Sequence, residues 1–243
     1  MATAEPRHFV LLHGAFHGGW CWADVAAILR AAGHSVSTPT QTGLAERRHL
    51  MSAAITLDTF TDDLVNHIEA EELADIVLVG HSFGGFAITG AADRIPGRIR
   101  HLVYLDSRIP ENGKTAFDVQ PPAVTAERNR LAQEFSGGLC VPPPAPTAFG
   151  VPAGHPRHDW VARRLTPHPM GAFTSPFSIA NPVGNGLRAT YIACTDPFYA
   201  SLESSRRAAR ARPDWGWREI ATGHDAMVTA PRETAAMLID IAR

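Results

Sequence analysis

The chain predicts a mostly parallel central β-sheet flanked by helices, because short apolar runs alternate along it with segments of helical spacing. Its strand-like runs are continuously apolar, as in strands buried on both faces. One of them leads directly into Gly80-His81-Ser82-Phe83-Gly84-Gly85, a glycine-rich turn from strand to helix. At 243 residues the chain suits one α/β domain over 1–243, long enough to bury a full core.

The elements follow in order. His8 to Leu12 reads as a buried strand; Trp22, Val25, Ala26 and Leu29 then recur at helical spacing, and Gly33 supplies a left-handed residue to end that helix. Val36 to Pro39 reads as the next strand, and Leu57, Phe60, Leu64 and Ile68 mark one face of a second helix. Asp75 to Val79 is a third strand, followed after the glycine turn by a helix from Phe86 to Arg94 that ends near Pro96. Further strands are expected at Ile99 to Leu105, Arg188 to Cys194 and Gly216 to Ala221. A last helix carries Ala235, Leu238, Ile239 and Ala242 on one stripe after Pro231.

Between about 107 and 185 this alternation fails, since prolines from Pro121 to Pro182 interrupt any long element. Both ends of the segment return to core strands, so it predicts a cap or lid inserted over the sheet, the usual place for substrate-binding residues. Phe135, Phe149, Phe173 and Phe177 lie in it and face either core or substrate, with core the expectation for most.

Composition excludes several functions. A net charge of -2 and scattered Lys and Arg argue against nucleic-acid binding; Arg206, Arg207, Arg210 and Arg212 read as a solvated helix face. Cys21, Cys140 and Cys194 are odd in number and form no metal-ligand spacing, so neither a disulfide framework nor a metal site is expected. The polar start and the interrupted apolar run behind it predict no signal peptide and no membrane span, hence a cytoplasmic protein. A small-molecule acyl substrate is the expected partner, with no organic cofactor; a homodimer is compatible with the sequence.

Gly80-His81-Ser82-Phe83-Gly84 fits G-x-S-x-G in the context that motif demands, strand before and helix after. The glycines permit a tight turn that lifts Ser82 above the sheet as a nucleophile. Because a serine hydroxyl is weakly nucleophilic at neutral pH, it needs a base. His224, after the last strand, has the right address; His81 is expected to point into the core and His17 to brace the first loop, while His155, His158 and His168 fall in the insertion. The backbone N–H of Phe83 is one oxyanion donor, and the glycine-rich loop His13-Gly14-Ala15-Phe16-His17-Gly18-Gly19-Trp20 offers that of Ala15 as the second.

That loop, the Gly80–Gly85 turn and Gly223-His224-Asp225-Ala226-Met227 resemble the α/β-hydrolase branch of plant methyl-ester esterases, hydroxynitrile lyases and their bacterial relatives. The resemblance spans both ends of the core but not the insertion. It implies the α/β-hydrolase fold, catalytic roles for Ser82 and His224, and an oxyanion hole at Ala15 and Phe83. The lyase members use a threonine in the first loop and a lysine directly after the catalytic histidine; here Gly14 and Asp225 stand there. A carboxylate would repel departing cyanide, so ester hydrolysis is expected over C–C cleavage. A non-catalytic ligand receptor and an acyl-transferring or cyclising enzyme of natural-product assembly are the alternatives on the same fold.

Two aspartates compete to orient His224, each just past the end of a predicted strand. Asp196 follows the strand that most often supplies the acid in related hydrolases, at a spacing from His224 similar to that in the plant relatives. Those relatives, however, carry their acid about one residue later, which reverses a side chain's direction in strand geometry. Asp106 follows Val103-Tyr104-Leu105 on the neighbouring strand and is the favoured candidate, with Asp196 the alternative.

Overall fold

The structure, a computed structural model, describes residues 5–243. Among these residues eight strands run in chain order as β1 His8–Leu12, β2 Ser35–Ser37, β3 Ile76–His81, β4 Ile99–Leu105, β5 Cys140–Val141, β6 His168–Pro169, β7 Ala189–Cys194 and β8 Gly216–Ile220. The α-helices are α1 Ala23–Ala31, α2 Leu57–Ala70, α3 Gly84–Arg94, α4 Pro122–Ser136, α5 His158–Ala162, α6 Met170–Thr174, α7 Glu203–Arg210, α8 Ala226–Thr229 and α9 Pro231–Ile241. Six strands form one parallel sheet in the order β2-β1-β3-β4-β7-β8; β5 and β6 form a separate antiparallel pair.

Strand periodicity divides the core. Val10, Leu12, Leu78, Leu102 and Tyr104 face one layer, with Phe60 and Leu64 of α2 and Phe86 and Ile88 of α3. Their neighbours Phe9, Leu11, Val77, Val79, Val103 and Leu105 face the other, with Val25 and Leu29 of α1 and Ala235 and Leu238 of α9. Both faces are covered, which is why these strands read as unbroken apolar runs.

Chain order along the sheet also locates the working edge. From β1 the chain moves outward to β2, then returns to the other side of β1 as β3. Helices α1 and α2 therefore lie on opposite faces, opening a crevice at the carboxyl ends of β1 and β3. The loops that begin at His13 and Ser82 leave from that crevice.

Boundaries differ from the sequence reading in small ways. β3 runs two residues further than Val79 because Gly80 and His81 still pair with Tyr104 and Leu105 of β4. β2 stops at Ser37, before Pro39, and α3 starts at Gly84 rather than Phe86.

The segment from 107 to 185 corrects an expectation. Its prolines do not prevent a long helix: α4, with 15 residues, is the longest among the described residues, and it begins at Pro122. A proline in the first turn has no N–H to leave unpaired and a preset φ, so it starts a helix where it would break an interior. Val141, Phe149, Phe173 and Phe177 of the segment are buried in the same cluster as Phe83 and Phe86, whereas Phe135 is 56% exposed. The segment thus packs into one layer of the core.

Close approach at Gly85 holds the serine turn against the end of β4. A Cβ there would lie 2.0 Å from the Arg108 carbonyl oxygen and 2.4 Å from Ser107 Oγ. Gly85→Ala is therefore expected to cost roughly 1–3 kcal/mol by overpacking, read as a fall of several degrees in Tm. An unchanged Tm would show that the 107–109 segment yields freely.

Candidate active site

Ser82 sits between β3 and α3 at φ 52°, in the left-handed region. Only a tight turn imposes this on a serine, and it lifts the side chain clear of the strand. The turn is fixed from behind: the Ser82 N–H donates to the Leu105 carbonyl (3.2 Å), and the Arg108 N–H and Ser107 Oγ both donate to the Ser82 carbonyl (2.8 Å each). Gly14 of the first loop passes so close that a Cβ on it would lie 2.8 Å from Ser82 Cβ. A threonine, the residue expected in the lyases, would also have to fit its Cβ into that gap.

His224 is buried, with its Nε2 2.9 Å from Ser82 Oγ and its Nδ1 2.7 Å from Asp106 Oδ2. A carboxylate only accepts, so Nδ1 carries the proton and Nε2 is free to accept from the serine. Tyr199 stacks on the imidazole at 4.1 Å between centroids, and the His81 ring lies 4.6 Å away on the tilt.

Of the two competing aspartates, Asp106 is the one brought to the histidine. It follows β4, which is β3's direct neighbour, so it emerges beside Ser82; its φ of 38° turns the side chain off the strand path. Asp196 follows β7, one strand further out, and is exposed. Its backbone N–H bonds the Thr222 carbonyl at 3.1 Å.

Asp106 has two more donors. Arg206 Nη2 donates to its Oδ1 at 2.7 Å and to the Cys194 carbonyl at 2.8 Å, and the Cys194 N–H donates to Oδ1 at 3.3 Å. Burial alone would raise the carboxyl pKa, but the bond and charge of His224, then those of Arg206, outweigh it and hold Asp106 below the ordinary carboxylate value. Arg206 overturns the expectation of a solvated arginine face, since its side chain is buried on α7. The available signal was Leu202, Ser205 and Ala209, which at helical spacing define a buried face that includes position 206.

Ala15 and Phe83 line the same pocket as Ser82, and among the described residues neither backbone N–H has an intramolecular acceptor. The pocket is narrow, about 20 Å³, which is room for about one water. Phe16, Arg128 and Tyr199 separate it from an outer, largely apolar groove of about 570 Å³ along α4 and Pro142-Pro143-Pro144. Among the described residues no group of three or more His, Cys, Asp or Glu side chains is placed to hold a metal ion.

A second buried pair stands behind the first. His17 Nε2 lies 3.0 Å from Asp225 Oδ2, and His17 Nδ1 lies 2.8 Å from the Ala15 carbonyl. Both partners only accept, so both ring nitrogens must donate and His17 is an imidazolium. Its pKa is raised although burial pulls it down, because the Asp225 charge prevails; Asp225 in turn is held low by His17 against its own burial. Asp225 is thus spent on bracing the Ala15 loop and is fully buried rather than facing the reacting groups. Paired with the His17 imidazolium, Asp225 offers no uncompensated carboxylate to repel a departing cyanide.

The pair has a pH signature. Asp225's contribution to stability is present above the ordinary carboxylate value, 3.8, and lost as pH falls through its lower folded value. His17's is present below 6.5 and lost as pH rises through its raised folded value. Asp225→Asn should therefore cost about 3–5 kcal/mol near pH 6 and less at pH 9, measured as the difference from wild type in urea unfolding. Taking that difference matters because His13, His81 and His168, buried with lowered pKa values, destabilise the fold in acid whichever residue stands at 225. A cost independent of pH would contradict the ion pair.

This sheet order and this strand–turn–helix site define an α/β-hydrolase. The family model described as alpha/beta hydrolase matches residues 9–237, and the chain belongs to that family. It is 40% identical over 242 residues to the carbendazim hydrolyzing esterase of Nocardioides sp. (strain SG-4G), covering 95% of this chain and 98% of that one. An alpha-hydroxynitrile lyase of Arabidopsis thaliana is 35% identical over 108 residues, 44% of this chain and 42% of that one. Among solved structures, an extracellular α/β-hydrolase from a Paenibacillus species, described as sharing structural and functional homology with tobacco salicylic acid binding protein 2, superposes with a TM-score of 0.85. It is 23% identical, with coverage of 98% of this chain and 100% of that one, and shows the shared fold. The chain is an enzyme of the esterase type within this family. No helix among the described residues is long and apolar enough to cross a membrane.

Proposed function

We propose that the chain hydrolyses a small-molecule ester through Ser82, His224 and Asp106 by way of an acyl-enzyme. The observation that carries this reading is the unbroken chain of contacts from Ser82 Oγ through the imidazole, 2.9 Å to Nε2, to Asp106, 2.7 Å from Nδ1. With its proton on Nδ1, His224 takes the hydroxyl proton at Nε2 as Oγ attacks the acyl carbon. Asp106 stabilises the imidazolium that results, and the N–H groups of Ala15 and Phe83 receive the oxyanion. The intermediate collapses as Nε2 returns the proton to the leaving alcohol; water, deprotonated by the same nitrogen, then releases the acid. Each step uses side chains and backbone of this chain and needs no metal or organic cofactor.

Because the inner pocket holds about one water, the acyl centre lies there and the larger part of the substrate extends into the outer groove, reached by displacing Tyr199. The test is a panel of 4-nitrophenyl esters of increasing acyl length, with carbendazim added because the 40% identical relative is named for hydrolysing it. A burst of 4-nitrophenol equal to the enzyme, then steady turnover, is expected for the faster-acylating esters. Binding of every member without turnover would leave the receptor alternative in its place.

A further inference from the structure

The pocket over Ser82 holds more positive charge than its surroundings neutralise. Arg108 and Arg128 line it beside Ser82, Ala15 and Phe83. Arg108 is only 7% exposed, and its one side-chain hydrogen bond runs from Nη1 to the Ser201 carbonyl at 2.7 Å. Arg128 donates from Nη1 to Gln120 Oε1 at 2.8 Å and lies 4.7 Å over the Phe173 ring. Among the described residues each guanidinium therefore leaves Nε and Nη2 without a protein acceptor, and neither arginine forms an ion pair.

The neighbouring acids are already committed. Asp106 is held by His224 and Arg206, and Glu127, the residue before Arg128, is held by Arg130 at 2.7 Å. Burial pushes the Arg108 pKa down to about 10, with the like charge of Arg128 adding to the fall, so Arg108 remains a cation at neutral pH, and Arg128 does so as guanidiniums in proteins do. Arg108 is buried and Arg128 half-buried, and among the described residues neither has a counter-ion, so an anion entering the pocket would gain both charge attraction and hydrogen bonds from them. A planar carboxylate matches the donor fork of each.

We infer that Arg108 and Arg128 form a carboxylate-binding subsite beside Ser82, and that the ester this enzyme takes carries a carboxylate near its scissile bond. The inference rests on the ester-hydrolysis reading. It adds the substrate class, an anionic half-ester in place of a neutral ester. The role assigned to both arginines is positioning: they set where the acyl group lies and how tightly it is held.

4-Nitrophenyl hemisuccinate and 4-nitrophenyl butyrate differ by a carboxylate in place of a methyl group, and are the probes. The ratio of kcat/KM, hemisuccinate over butyrate, is expected to be about ten or more in wild type, mainly through KM, because one charge-assisted bond suffices for that factor. It should fall about tenfold or more in Arg128→Gln, whose half-buried side chain can be replaced with little risk to folding, and again in Arg108→Gln. A wild-type ratio at or below one, or a ratio that neither variant changes, overturns the subsite. Calorimetric binding of the two esters to Ser82→Ala separates this result from the fate of the hydrolysis reading. Tighter binding of hemisuccinate supports the subsite even if wild type turns over neither ester, and equal binding removes it even if both are hydrolysed.

Discussion

Ser82→Ala is expected to lower kcat for a 4-nitrophenyl ester by about 10⁴-fold or more, with the urea midpoint close to wild type. The turn that places residue 82 is held by backbone bonds, from its N–H to Leu105 and to its carbonyl from Arg108, and by packing against Gly14; alanine keeps all of these. Among the described residues the hydroxyl itself bonds only His224. What is lost is the nucleophile, while the Ala15 and Phe83 donors and the binding surfaces remain, so a small residual rate over water is expected. Activity within about tenfold of wild type would remove Ser82 from the mechanism.

Asp106→Asn is expected to lower kcat by a similar factor, about 10⁴-fold, for a different reason. An asparagine amide can present N–H to Nδ1, which favours the tautomer with its proton on Nε2, and that nitrogen then cannot accept from Ser82. The substitution also leaves Arg206 buried beside a neutral amide, so a stability loss of about 3–5 kcal/mol should accompany it. Unfolding must be measured alongside kinetics, at a temperature where the variant is folded. Asp196→Asn is the control: its side chain is exposed and should leave kcat within a small factor of wild type. The reverse pattern, with Asp106→Asn active and Asp196→Asn dead, would assign the acid to Asp196.

Ser82 and His224 were legible as candidates because each has a local signature: a glycine turn between strand and helix, and a histidine between the last strand and the last helix. The six-stranded sheet was legible for a related reason, since strands buried on both faces leave unbroken apolar runs. The acid was harder. Asp106 and Asp196 each end a strand, and which reaches His224 depends on which strand neighbours β3, a long-range fact that no local pattern records.

Arg206 was misread because a charge on a helix reads as solvated until its buried partner is known. α4 was obscured by treating Pro121-Pro122 as a breaker, although a proline opens a helix as readily as it ends one. Asp225 was assigned a repulsive effect on the reaction from its place in sequence alone; its partner, His17, is more than two hundred residues away. Arg108 and Arg128 carried no signal, because an arginine in an aperiodic segment says nothing about whether an acid will meet it.

The most direct test of the account is active-site labelling with a fluorophosphonate, read by mass spectrometry of the digested protein beside residual esterase activity. The phosphonate reacts with an activated serine, so it reports the one property that the Ser82–His224–Asp106 arrangement is proposed to create. One phosphonate per chain is expected on the peptide containing Ser82, with loss of activity in proportion to labelling and no label in Ser82→Ala. Stoichiometric labelling elsewhere, or an active enzyme whose Ser82 stays unlabelled through complete inactivation, would contradict it.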